Sequence, residues 1–344
     1  MTLPAHARTP RFVGSGRVAF RDASVPSPGP SQLLVEVRAN AVCGTDRAQF
    51  YDGSVLTAGH EIAGVVAASG RQCSIPTGTP GVVYLMDYCG TCRSCAAGAT
   101  NQCLDKRGDV GFTRDGGYGP YALVGEAAFF PTDAGLGMSE ATLLLNVMGT
   151  SRRALDRGLT IRPDAESLLV VGAGPVGLGV LAMARLLLGD GVPILVSDVI
   201  TYRLELAERL GGIPVRADET TPAVVARGRL GGGLDLAVDT SGRQVGRDAA
   251  MTALAQRGAL VCVGHGGGLT LDVSADLIAP ERAVLGSEYF PFAMLDPNHR
   301  LLLEHREYLS RIITHRFPVE ELQAAMELFF TGRTGKVVIE QVRS

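Results

Sequence analysis

Lysine is nearly missing from this chain. Of its 32 basic residues only Lys106 and Lys336 are lysines, a skew toward arginine that points to base composition more than to a function. An excess of charge of either sign is missing too. A formal charge of −3 and a pI near 6.1 give no electrostatic footprint for nucleic acid or an anionic membrane. The opening MTLPAHARTPRFVGSG has no apolar segment long enough for a signal peptide. The run from Ser167 to Ala184 carries no charge over eighteen residues, close to spanning length, yet Gly172, Gly174, Pro175 and Gly177 break its middle. No internal repeat or low-complexity linker is visible. A soluble, cytoplasmic protein is expected.

What is present fits a packed, turn-rich enzyme-sized chain. Its 344 residues exceed one ordinary core, so two domains are expected, and 46% apolar content with 44 glycines excludes disorder. The first third reads as short strands: QLLVEVRANAV alternates in the period of a half-buried strand, and HEIAGVVAASG, GVVYLMDY and YGPYALVGE follow. Ser139 is placed to cap a helix through ATLLLNVMGTSRRAL that stops at Gly158. Strands and helices then alternate: LLVVGAG, PVGLGVLAMARLLL, PILVSD, then TYRLELAERLGG with Thr201 as N-cap and Gly211 as stop. LDLAVDTSG, a helix around 249–256, ALVCVGHG and AVLGSEYF continue the series. Such alternation predicts an α/β fold with a doubly wound parallel sheet. Helices over 298–314 and 319–331 and a last strand, GKVVIEQV, close the chain. The expected division is 1–149, 150–287 and 288–344, the middle block being an insertion.

GAGPVG, from Gly172 to Gly177, directly follows the strand LLVV and opens a helix, the context that gives G-x-G-x-x-G its meaning. Gly172 permits the turn, Gly174 lets backbone amides reach a pyrophosphate, and Gly177 lets helix and strand pack. Pro175 and Val176 start the helix whose N-terminus faces the anion. Asp198 closes the next strand, where a carboxylate binds ribose hydroxyls and repels a 2′-phosphate, so NAD is expected over NADP. Arg203 either contacts adenosine or faces water. Farther along, Val263 and Gly264 are candidates for the nicotinamide side, with His265 beside them as a loop residue, while Ser287, Glu288 and Tyr289 either line that side or pack as an ordinary edge strand.

Four of seven cysteines crowd into CGTCRSCAAGATNQC as C-x2-C-x2-C-x7-C. Without an export signal such crowding predicts metal rather than disulfides. Cys89, Cys92, Cys95 and Cys103 would close a tetrahedron around a structural zinc, with no open position. Arg93 and Lys106 are expected as solvated neighbours easing its charge. Cys73 and Cys262 read as small buried side chains, and His299, His305 and His315 as exposed helical residues.

These pieces, with CGTD at 43–46, GHE at 59–61, DGGYGPY at 115–121 and TGKVV at 334–338, resemble the zinc-containing medium-chain alcohol dehydrogenases, above all their polyol, sugar and threonine branches. The resemblance covers nearly the whole chain. It implies a GroES-like catalytic domain around an inserted Rossmann domain, and a homodimer or homotetramer joined through the AVLGSEYF edge. It also implies that Cys43 and His60 ligate a second, catalytic zinc, that Thr45 binds the substrate hydroxyl, and that Asp46 orients the His60 ring. Glu61 ligates directly or stands one layer behind. Zinc polarises the alcohol oxygen while NAD takes hydride from the adjoining carbon.

The sequence departs from that family at three points. The helix leading into the Rossmann domain usually supplies a further Cys, Asp or Glu ligand, and here that place holds Asn146, a weaker donor. The spacer between Cys43 and His60 is short, and Arg153 stands near a frequent histidine. Glu61 therefore completes the shell, or Asn146 ligates weakly, or the site holds no metal; the first is favoured. The rival functions are a reductase of an activated C=C, C=N or carbonyl group without catalytic zinc, and a dinucleotide-binding protein with no catalysis.

Overall fold

The computed structural model describes residues 3–341, so Met1, Thr2 and the Val342 end of the predicted last strand lie outside it. Contacts divide the chain into two units: residues up to 145 with 290–331 and 336 onward, and residues 146–289 with 332–335.

The first unit is β-rich. Its main sheet has seven strands, built on the central Gln32–Ala41, which pairs antiparallel with Ile62–Ser69, Tyr121–Gly125 and Lys336–Glu340. Leu33, Val35 and Val37 point into a core with Ile62, Val66, Val83 and Phe129. A second core, holding Phe12, Val42, Phe50, Tyr118, Met326 and Val337, lies where the hairpin His6–Gly14/Arg17–Ser24 and the helix Leu322–Phe330 meet that sheet. Burial of such aromatic and branched side chains contributes roughly 1.5–3 kcal/mol each.

The second unit is a six-stranded parallel sheet. Counting Leu168–Val171, Ile194–Asp198, Ile213–Arg216, Leu234–Asp239, Leu254–Cys262 and Ala283–Gly286 as first to sixth, the spatial order is 3-2-1-4-5-6. The order reverses beside the first strand, and in open parallel sheets ligands bind at that switch, outside the carboxyl ends of the strands. The first strand is buried along its whole length because helices cover both faces.

Several local expectations are corrected. The helix expected through 141–155 is broken into Met138–Ala141, a 3-10 turn, a π-helical stretch Leu145–Thr150 and Ser151–Leu159. Gly158 lies inside the last of these, where Leu236 leaves no room for a side chain. Ser139 caps nothing; its hydroxyl donates to Glu340 at 2.6 Å. Thr201 is the first helical residue, not the N-cap, and its hydroxyl accepts from Arg216. The helix placed at 249–256 is Gln244–Ala253. The helix placed at 298–314 is two, Leu295–Glu304 and Arg306–Ser310, and Ile313–Pro318 is a strand carrying His315. His299 is buried beside Asp133 rather than exposed, and Cys73 and Cys262 are half-buried.

Candidate metal and dinucleotide sites

Cys43 opens the turn after the central strand of the first unit, its carbonyl accepting from the Asp46 N–H, and Asp46 begins the short helix Asp46–Asp52. His60 and Glu61 stand just before Ile62–Ser69. Strand pairing folds these segments together, and ligand atoms of Cys43, His60 and Glu61 all lie within 4.8 Å of one another. His60 and Glu61 are 3% and 0% exposed. The predicted trio therefore assembles.

The groups behind the trio set its charge. Nδ1 of His60 lies 3.3 Å from Asp46 Oδ1. The other oxygen of Asp46 accepts from Tyr118 Oη at 2.6 Å and from the Cys43 N–H at 3.0 Å. Burial alone would raise the Asp46 pKa; the bonds from His60, Tyr118 and Cys43 outweigh it and hold the carboxyl below its usual value. Burial would likewise depress His60, but Asp46 and the Cys43 sulfur push it well above the ordinary imidazole range. Desolvation opposes ionisation of Cys43, yet the facing His60 draws its pKa down. Nδ1 thus keeps its proton toward Asp46, which leaves Nε2 as the ligand atom.

One partner was not anticipated. Lys336 Nζ lies 2.5 Å from Glu61 Oε1, with both side chains sealed from water. With a metal on Nε2 the His60 imidazole is neutral, and counting Cys43 as thiolate the cluster then holds three anions (Cys43, Asp46, Glu61) against the Lys336 ammonium. A divalent cation balances that remainder, and soft thiolate with imidazole suits zinc. Asn146 belongs to the second unit, where its Oδ1 accepts from Thr150 at 3.3 Å. Thr45 is exposed, and its hydroxyl makes no capping bond to its own helix.

The cysteine lobe is assembled as predicted. Sγ atoms of Cys89 and Cys95, and of Cys92 and Cys103, stand 4.0 Å apart. A tetrahedron of roughly 2.3 Å zinc–sulfur bonds requires about 3.8 Å. Amides of Thr91 and Cys92 donate to the Cys89 sulfur, and that of Leu104 to Cys92. Donation from the amides of Cys95 and Leu104 lowers the Cys92 thiol to about 6. Arg93 is exposed, whereas Lys106 pairs with Asp109 at 2.7 Å instead of easing the lobe's charge.

In the second unit Gly172 turns at φ +88°, and a side chain at Gly177 would collide with the Gly172 carbonyl. Gly174 differs. Its φ is ordinary at −70°, and the nearest atoms to an added Cβ belong to Arg203, 3.9 Å away. Nothing in the fold forbids a side chain there, so its absence leaves room for something approaching from outside. The helix Pro175–Leu188 points its N-terminal amides, Val176 among them, into that space. Asp198 Oδ2 accepts from the Ala173 N–H at 2.7 Å and Oδ1 from the Ile200 N–H at 2.9 Å. Arg203 lies 3.9 Å from Asp198, so it borders the glycine loop rather than open water. Amides of Val263 and Gly264 both donate to the Asp239 carbonyl. The Ser287 hydroxyl is buried with no hydrogen-bond partner among the described residues, a polar atom that suits a bound carboxamide. His265 is exposed and 3.2 Å from Glu288.

Two family profiles match: the alcohol dehydrogenase GroES-like domain over residues 29–134 and the zinc-binding dehydrogenase over 175–301. The zinc-type alcohol dehydrogenase-like protein YphC of Escherichia coli is 30% identical over 95% of this chain and 96% of its own. An L-threonine 3-dehydrogenase of Symbiobacterium thermophilum is 29% identical over 93% of each. Among solved structures, the alcohol dehydrogenase TADH of Thermus sp. ATN1 superposes with a TM-score of 0.88 at 25% identity, covering 97% of this chain and all of that one.

Proposed function

Because the chain belongs to the zinc-binding medium-chain alcohol dehydrogenase family, we propose that it is a cytoplasmic, zinc-assisted oxidoreductase passing hydride between NAD and a secondary alcohol of a polyol, sugar or cyclitol-like molecule. The observation that carries this reading is the buried convergence of Cys43, His60 and Glu61 with a charge that calls for a divalent ion. Cys43 and His60 would hold the zinc, with Glu61 between it and Lys336. Bound there, zinc supplies Lewis-acid polarisation of a substrate oxygen. Asp46 keeps the His60 proton on Nδ1. Thr45, whose hydroxyl makes no capping bond to its own helix, would hydrogen-bond the substrate hydroxyl and start a proton relay, passing its own proton on as it takes the substrate's. The glycine loop would hold the NAD pyrophosphate, Asp198 would take ribose hydroxyls and disfavour a 2′-phosphate, and Ser287 would offer its hydroxyl to the carboxamide. Ala283–Gly286 ends the strand order of the parallel sheet, and such an edge suits pairing with a second copy, giving a homodimer or homotetramer.

Asn146 favours the second reading, a reductase of the same fold working without that zinc. Metal analysis with NAD-linked oxidation of a polyol, sugar and L-threonine panel separates them. Two zinc ions per chain, one for each cluster, and turnover that C43S and H60A abolish support the first reading. One zinc with undiminished turnover in C43S removes it.

A further inference from the structure

Tyr118 sits in the glycine-rich segment after Asp115, and its ring needs only apolar neighbours: it packs against Phe12, ring centroids 5.7 Å apart, in the core with Phe50 and Val337. Phenylalanine would fill that place. A hydroxyl in such a core costs stability unless it is bonded, and this one donates to Asp46 Oδ2 at 2.6 Å, with tyrosine and aspartate 1% and 0% exposed. The Cys43 amide donates to the same oxygen. Two donors on one oxygen stop the carboxylate from rotating, so its other oxygen stays toward His60 Nδ1.

The backbone of the same segment holds the approach to His60. Amides of Gly116, Gly117 and Tyr118 donate to the carbonyls of Thr57, Gly59 and Ala58 at 2.7, 2.8 and 3.0 Å. Gly59 has φ +96°, and a Cβ there would stand 2.9 Å from the Tyr118 nitrogen. The Gln341 amide donates to the Tyr118 carbonyl at 2.8 Å and braces the segment from its far side. Tyr118 thus belongs to the segment that holds the histidine loop, and its hydroxyl fixes the angle of the carboxylate that orients the ring.

We propose that Tyr118 is a positioning residue of the metal site, acting through Asp46 on His60. The inference rests on the reading that Cys43 and His60 ligate zinc. Its test is zinc transfer from the full-length, zinc-loaded protein to excess chromogenic chelator, followed in wild type, Y118F, D46N and the double variant. The cysteine lobe serves as an internal reference. Y118F is expected to release the zinc held by Cys43 and His60 about 10-fold faster, at the low end of what removing the support behind a ligating histidine does, while lobe release holds. The double variant should release it no faster than D46N, and cobalt placed at Cys43 and His60 should show a shifted visible band in Y118F. Release from Cys43 and His60 at the wild-type rate in Y118F overturns the proposal, as does faster release from both sites with a lowered Tm. So does a double variant whose effects add, and D46N without effect overturns it even should Y118F not fold. Release of a single zinc by the wild type, from the lobe alone, overturns the metal reading and this inference together.

Discussion

Lys336 donates to Glu61 across 275 positions of sequence, Nζ to Oε1 at 2.5 Å, and both side chains are closed to solvent. One of the chain's two lysines thus neutralises a carboxylate inside the metal cluster. K336M would strand the carboxylate without its cation, at a cost of about 3–5 kcal/mol. Urea unfolding of zinc-stripped protein checks this: K336M should be far less stable than wild type, and E61Q/K336M should recover part of the loss. Equal stability of K336M and wild type would show that the pair carries no such role.

That pair was invisible in the sequence for a physical reason. Lys336 opens an apolar run, KVVIE, where local pattern says strand and nothing says partner. Long-range pairing of charges is decided by strand register, here Val338 opposite Ala41, not by spacing along the chain. The cysteine lobe and the glycine loop were legible because each is local: ligands or amides lie within fifteen residues of one another. The 298–314 helix was misread because Leu301, Leu302, Leu309 and Ile312 keep a helical rhythm across two helices, while the β-branched Ile312, Ile313 and Thr314 already favoured a strand.

Asp198 accepts two backbone amides in the protein itself, from Ala173 and Ile200. On the proposed reading it would also take ribose hydroxyls in the NAD complex. D198A should lower kcat/KM for NAD by roughly 10- to 100-fold, the worth of about 1.5–3 kcal/mol for bonds to a charged acceptor. Discrimination against NADP should fall with it. Initial rates with each cofactor decide the matter; an unchanged NAD/NADP ratio would remove Asp198 from cofactor selection.

The lobe sulfurs are spaced for one zinc. C103S should therefore lose one zinc per chain and keep the ion proposed at Cys43 and His60. Since ligation of such lobes is itself folding free energy, limited proteolysis should then cut between 88 and 108. A C103S protein that keeps its full zinc content would contradict a four-thiolate site.

Glu126 offers a pH test. Burial would raise its pKa, but amides of Ile75 and Ser74, with the Ser74 hydroxyl, hold it below the ordinary 4.5. A lowered folded-state pKa means the unfolded chain binds the proton first. The stabilisation is complete above the unfolded value and fades as pH falls through the folded one. E126Q should cost about 1 kcal/mol at neutral pH, discounted for the carboxylate's partial exposure. The gap to wild type should close in acid below pH 4.5. A gap constant with pH would assign the effect to packing.

Arg247 lies within the second unit with no motif to mark it. Its Nε donates to Asp239 Oδ2 at 2.8 Å, and the rest of its guanidinium donates to the carbonyls of Gly264, Gly267 and Gly268. Asp239 is wholly buried, and its carbonyl accepts from Val263 and Gly264. The pair therefore pins the loop that follows the fifth parallel strand, the segment proposed to border the nicotinamide. Removing one member of such a buried pair costs about 3–5 kcal/mol, so R247M should lower the Tm by many degrees. R247K keeps the charge but cannot span three carbonyls, because an ammonium lacks the planar fork. R247K should thus retain most of the stability while KM for NAD rises and the loop amides exchange hydrogen faster. If R247K matched wild type in both KM and exchange, Arg247 would be a stability residue with no hold on the cofactor loop.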